Sequence, residues 1–99
     1  MPGPQTAEEA LAWAKDAISN GKHWFSGHCE TRFRQRGITH RDARNAIMNA
    51  SQCAAYAGTP QNGGTCWRIE GPSLDATSIT VGVETYLDVA KRIIVITVF

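Results

Sequence analysis

The sequence predicts an α+β domain, with two or three N-terminal helices packed on a roughly four-stranded antiparallel sheet. Three observations predict it. Up to Ser51, apolar residues recur at three- and four-residue spacing behind recognisable helix caps. Beyond Ser51, apolar and polar residues alternate between clusters of glycine and proline, the period of a half-buried strand. The helical segments all precede the strands, so no βαβ alternation calls for a parallel sheet. A chain of 99 residues with 42% apolar and 19% charged content makes one packed domain, residues 1–99, rather than a disordered one.

Met1 to Gln5 hold two prolines and a glycine and read as a loose tail. Thr6-x-x-Glu9 is a capping box for a first helix, in which Leu11, Ala14 and Ile18 recur with Ala7, Ala10 and Ala17 alongside. That helix should end near Asn20-Gly21 and pack against the sheet, because its apolar face is thin. Lys22 to Phe25 suit a short extended segment. Ser26 can cap a second helix, Gly27 to Arg36, which Gly37 can end in the left-handed conformation. Thr39-x-x-Asp42 opens a third helix, His40 to Ser51, where Ala43, Ala46, Ile47 and Ala50 form a core-facing stripe.

Four strands are expected next. Cys53 to Tyr56 is the first, followed by the turn-rich Gly58 to Gly64. Thr65 to Glu70 places Cys66, Arg68 and Glu70 on one face and Trp67 and Ile69 on the other, and Gly71-Pro72-Ser73 should end it. Ser78 to Thr85 turns Ile79, Val81 and Val83 inward. A turn over Leu87 to Lys91 leads to Arg92 to Phe99, whose β-branched residues suit the centre of the sheet.

The formal net charge is only +1, but it is unevenly spread. Lys22 to Arg44 carries six basic residues against two acidic ones, +4, and the remainder sums to −3. Such a patch suits a local phosphate site or a solvated helical face. The three cysteines, Cys29, Cys53 and Cys66, are odd in number and lack C-x-x-C spacing, which speaks against a disulfide framework or a zinc ribbon. Cys29 stands in a first helical turn, where a thiol pKa can fall, although a packed thiol is the simpler reading. A site built from His23, His28, Cys29, His40 and Cys66 matches no zinc spacing, so neither metal nor cofactor is expected. The opening MPGPQ does not read as a secretory leader, and the longest apolar run, Ile93 to Val98, is too short to span a bilayer. The cytoplasm is therefore the expected compartment; action on another cell would need a separate export system.

The densest concentration of ionisable groups lies in Phe25 to Asp42. At about 100° per residue, His28, Arg32, Gln35 and Arg36 share one arc of the second helix, with Cys29 and Phe33 on the adjoining arc. Glu30 points away from His28. The pattern His28-x-x-x-Arg32-x-x-x-Arg36-Gly37-Ile38-Thr39-x-x-Asp42, followed by Trp67-Arg68-Ile69-x-Gly71, Val81-x-Val83 and the closing Val95-Ile96-Thr97-Val98-Phe99, resembles a small prokaryotic family catalogued as domain of unknown function 4258. The resemblance covers about Trp24 to Phe99. It implies kinship with the RelE-type and barnase-type toxin fold, in which helices precede an antiparallel sheet that cradles RNA. It also implies a metal-independent ribonuclease, with RNA and a protein antitoxin or immunity protein as partners. By position, His28 and Arg32 match the family's helix motif, Arg36 its Arg-Gly-Ile turn, Arg68 the sheet strand and Thr97 the last strand.

Metal-free RNA cleavage needs a base for the 2′-OH, cations for the crowded phosphorane and an acid for the leaving oxygen. His28 titrates near neutrality, and Arg32 and Arg68 supply planar forks for phosphate oxygens, so these three are the candidate catalytic residues. Arg36, Arg41 and Thr97 are candidate substrate ligands. The acid is unassigned; His23, His40 or Tyr56 can serve if the fold brings one close. Each residue has a structural reading too. His28 can cap or pack, Arg36 can bind the last carbonyls of its helix, Arg68 can pair with Glu70, and Thr97 can face the core with its hydroxyl bonded locally. Trp24, Trp67 and Tyr56 can stack on bases or fill the core. A rival of another class is a protein-interaction module on the same fold, a regulator or immunity-type protein, favoured by the near-neutral charge and the missing acid.

Overall fold

The computed structural model describes residues 3–57, 60, 63–85 and 91–99. In chain order they form α1 (Ala7–Ser19), β1 (His23–Phe25), α2 (Gly27–Arg36), α3 (His40–Met48), β2 (Gln52–Ala55), β3 (Thr65–Pro72), β4 (Ser78–Thr85) and β5 (Ile93–Val98). The architecture is α+β. The expected turn at Leu87–Lys91 and much of the one at Gly58–Gly64 lie outside the described residues.

The helix starts follow from local chemistry. Thr6 Oγ1 accepts the Glu9 amide and Ser26 Oγ the Cys29 amide, while Thr39 and Asp42 exchange bonds in a full capping box. Gly37 ends α2 at φ 66°, a conformation that costs glycine least. Helix α3 stops at Met48, three residues short of Ser51, because Asn49 turns its amide back to the Asn45 and Ile47 carbonyls.

The sheet order is β1-β5-β4-β3-β2. All pairs are antiparallel except β1–β5, which is parallel. Five strands in a mixed sheet thus replace the expected four antiparallel ones. The extra strand is the Lys22–Phe25 segment, too short to show a period. It is recruited because β5 has backbone groups to satisfy on its outer edge: Ile93 N–H donates to Lys22 O (3.1 Å) and Ser26 N–H to Val95 O (3.0 Å). Strand β5 lies inside the sheet, as its apolar run predicts.

Strand β3 runs two residues past Glu70, with Gly71 opposite Ile79 and Pro72 opposite Ser78. Gly71 does not break the strand; it lets α3 cross it. A Cβ there would stand 2.1 Å from the Ala46 carbonyl oxygen. The helices cover one face. Ala10, Ala14, Ala17, Cys29, Phe33, Ala43 and Ile47 bury themselves against Trp67, Ile69, Val81, Val83, Ile93, Val95 and Val98. A bulge opposite Gly82 and Val83 gives β5 one extra residue: Thr97 pairs with Gly82, but Val95 pairs with Val83. The slip lets Val95 and Val98, three apart, both face the helices. It turns Thr97 to the other face, so the expectation that Thr97 faces the core is corrected.

Candidate functional site

The face of the sheet away from the helices carries Arg68, Gly82 and Thr97 in one register across β3, β4 and β5. Gly82 has no side chain, and its place is filled: a Cβ would lie 2.9 Å from Thr97 Cγ2 and 3.3 Å from the Phe99 ring. Phe99 is held there by its amide, which donates to Thr80 O (2.9 Å). The exposed Arg68 guanidinium sits 4.6 Å from the Phe99 ring centroid and 5.8 Å from that of Tyr56. The two rings meet edge to face at 5.2 Å. The expected Arg68–Glu70 pair does not form; Glu70 accepts the Ser78 hydroxyl (2.9 Å). An aromatic face suits a guanidinium because it offers attraction without a second charge to desolvate.

Helix α2 lies along the edge of β5, beyond the end of β1. Ser26 Oγ donates to Ile96 O (3.1 Å) and Arg32 Nε to Val98 O (3.3 Å). Glu30, on the opposite flank of α2, reaches His40 of α3 (2.6 Å). The His28–Arg32 flank is therefore turned away from the helix layer, toward β5 and the opposite face of the sheet. One turn beyond Arg32, Arg36 lines a cleft with Glu70, Ser78, Thr80 and Phe99. Two arginines thus touch Val98–Phe99, Arg32 at the Val98 carbonyl and Arg68 over the Phe99 ring, while Arg36 borders the same cleft as Phe99 together with the carboxylates of Asp42, Glu70 and Asp75. Arg36 does not bind the last carbonyls of α2; the amides of Gly37 and Ile38 take Phe33 O. His28 is exposed on the first turn of α2, about 6 Å of helical rise before Arg32, and has no hydrogen-bond partner among the described residues.

The remaining candidates divide by location. Thr97 lies on the sheet face opposite the described helices but is only 9% exposed, with its hydroxyl turned to Val98 O (3.4 Å). It packs rather than presents a free ligand. Arg41 is separated from the group, on α3, round a different hollow with Arg34 and Arg44. Of the three candidate acids, His40 stacks on Phe25 (4.2 Å, 6°) and pairs with Glu30, and His23 packs on the helix side against Phe25. Burial, followed by the nearby Arg44 charge, lowers the His23 pKa. Tyr56 is the one that stands beside Arg68.

The thiol of Cys29 is pushed up to about 12, by burial first and the Glu30 charge second. Desolvation outweighs the helix terminus there, in line with the packed thiol that the sequence favours. Trp67 belongs to the core, donating through Nε1 to Thr65 Oγ1 (2.8 Å), and Trp13 is an anchor on the Arg92 carbonyl (3.2 Å). Two features went unread in the sequence. Phe99 was a strand end and instead carries Arg68 on its ring. Glu84 is 1% exposed on a strand face that none of the described helices covers, and it accepts the Gly64 amide (3.0 Å). Its signal was a lone acid in an otherwise uncharged strand. Comparison with known proteins returns no matching family model, no matching curated sequence and no matching solved structure.

Proposed function

We propose that this chain is a toxin-like domain that binds single-stranded RNA and cleaves it without a metal. In this reading it is a relative of the domain of unknown function 4258 family and works in the cytoplasm under the control of an antitoxin or immunity protein. The observation that supports the reading is the placement of Arg32 and Arg68 on Val98 and Phe99, with Arg36 at the adjoining cleft, on the side of the sheet that none of the described helices covers. Guanidinium groups interleaved with the Phe99 and Tyr56 rings are a combination suited to a flexible, base-bearing polyanion. Arg36 and Arg68 take phosphate oxygens, and the outer face of the Arg68 guanidinium is a platform for a base. His28, on the same side of α2 as Arg32, is the base that activates the 2′-OH, and Tyr56 is the proton donor nearest Arg68. Glu84 lies beneath this face and fixes the approach of Gly64.

The rival interaction module draws support from one observation. Arg32 is already committed to the Val98 carbonyl and Arg68 to two rings, so part of the cationic equipment has a structural partner. Expression of the chain alone, followed by growth and total-RNA integrity, separates the two. Growth arrest with RNA fragmentation supports the ribonuclease; normal growth with intact RNA at high expression favours the interaction module.

A further inference from the structure

A second basic surface lies on the opposite flank of α2, in the hollow between α2 and α3, and plays no part in the RNA reading. Arg34 of α2 and Arg41 and Arg44 of α3 line it, with Gly37 and Thr39 closing one end. None of the three guanidinium groups has a hydrogen bond or a carboxylate partner among the described residues. Glu30, the acid in the hollow, is taken by His40 at 2.6 Å. The apolar side chain it presents is the half-buried Ile38, beside the buried Phe33 ring. We propose that this hollow is a docking site for an acidic segment of a protein partner, anchored by an aliphatic side chain on Ile38 and held by carboxylates on Arg34, Arg41 and Arg44.

Charge and surface chemistry favour a protein over a nucleic acid. Three unpaired forks round Ile38 match a segment that alternates carboxylates with aliphatic groups. A nucleobase would need a free ring face, and the rings here are engaged. Phe25 and His40 stack on each other at 4.2 Å, Phe33 meets Phe25 edge to face at 5.5 Å, and Phe33 is buried. Because the Glu30 flank and the His28–Arg32 flank are opposite sides of one helix, a partner seated here leaves the Arg68 face open. The inference stands whether or not the RNA reading does.

Amide chemical-shift mapping on the isotope-labelled chain tests it with three probes. The first is a short synthetic peptide of glutamates flanking leucines, the second a glutamate-only peptide of the same length, and the third a single-stranded oligoribonucleotide. Expected are shifts from the leucine-bearing peptide confined to residues 30–44, weakening with added salt, and lost in Arg34→Glu/Arg41→Glu, whose unperturbed spectrum elsewhere shows the fold intact. The glutamate-only peptide should bind more weakly. The inference is overturned if the leucine-bearing peptide leaves residues 30–44 unshifted, if both peptides bind alike, if the charge-reversed chain binds as well as the parent, or if the oligoribonucleotide is what shifts the hollow.

Discussion

Asp42→Ala is the perturbation whose cost can be worked out most directly. One carboxylate oxygen accepts the Thr39 amide (2.9 Å) and the Thr39 hydroxyl (3.0 Å); the other accepts the Leu74 amide (2.9 Å). Asp42 therefore ties the start of α3 to the β3–β4 hairpin, next to the Arg36 cleft. Alanine keeps the Thr39 cap on residue 42 but leaves the Thr39 and Leu74 amides to water. Three lost bonds, all near the surface and so at roughly 0.5 kcal/mol each, with about 0.5 kcal/mol for a negative charge at a helix start, give a loss of about 2 kcal/mol. For a domain of this size, that lowers Tm by roughly 8–16 °C. The pH dependence follows. The Leu74 amide, then the Thr39 amide, hold the Asp42 pKa below its ordinary 3.8. A depressed acid contributes its stability above the unfolded pKa and loses it as pH falls through the folded one. Denaturant unfolding of the parent and Asp42→Ala should thus differ fully at neutral pH and converge in acid below 3.8, while carboxylates common to both cancel. A gap equally wide at about pH 2, or no gap at neutral pH, would refute the reasoning.

Four further outcomes are expected. On the ribonuclease proposal, His28→Ala should lower RNA cleavage by ~10²–10⁴-fold with an unchanged melting curve, since His28 is exposed and has no hydrogen-bond partner among the described residues; parallel loss of activity and stability would make it structural. Gly71→Ala should abolish or severely weaken cooperative unfolding, because its methyl would fall 2.1 Å from the Ala46 oxygen; a normal melt would mean that α3 sits farther from β3. Truncation after Arg92 removes β5, the partner of β1, β4 and the α2 side chains, and should leave no cooperative transition by circular dichroism. Cys29, with its thiol pushed up to about 12 and fully buried, should resist alkylation at pH 8 until denaturant is added; rapid modification in the native protein would contradict its packing.

What the sequence made legible was the part governed by nearest neighbours. Thr6, Ser26, Thr39 with Asp42, and Gly37 mark helix ends because caps act within three or four residues, and β4 was read to its bounds because alternation is a local pattern. Strand β1 was not resolved as a sheet member, since three residues have no period and their partner lies in the last element. Glycine 71 reads as a breaker until α3 is seen to press on it, and that contact is tertiary. The same limit governs the site. His28, Arg32 and Arg36 share an arc by spacing alone, but the meeting of Arg68 with Tyr56 and Phe99 depends on which strands are neighbours. Thr97 changed faces through a bulge that no alternation rule anticipates. Glu84 was not singled out at all and is nearly inaccessible, because burial on that face depends on what folds over it.

The position of β5 has a consequence for how the molecule comes into being. Its neighbours on one side, β1 and the α2 flank, are made early and wait for it: Ser26 and Ile96 are 70 positions apart, and Arg32 and Val98 66. Closing such long loops costs chain entropy before any contact repays it, which slows folding. On a ribosome, α1, α2 and α3 can form their turns, and β3 can pair with β4, but β1 has no place in the sheet until β5 emerges. The residues that gather Arg32 and Arg68 are in that same last strand and just after it. Assembly of the arginine cluster is thereby coupled to the docking of β5, and a chain without β5 in place cannot display it.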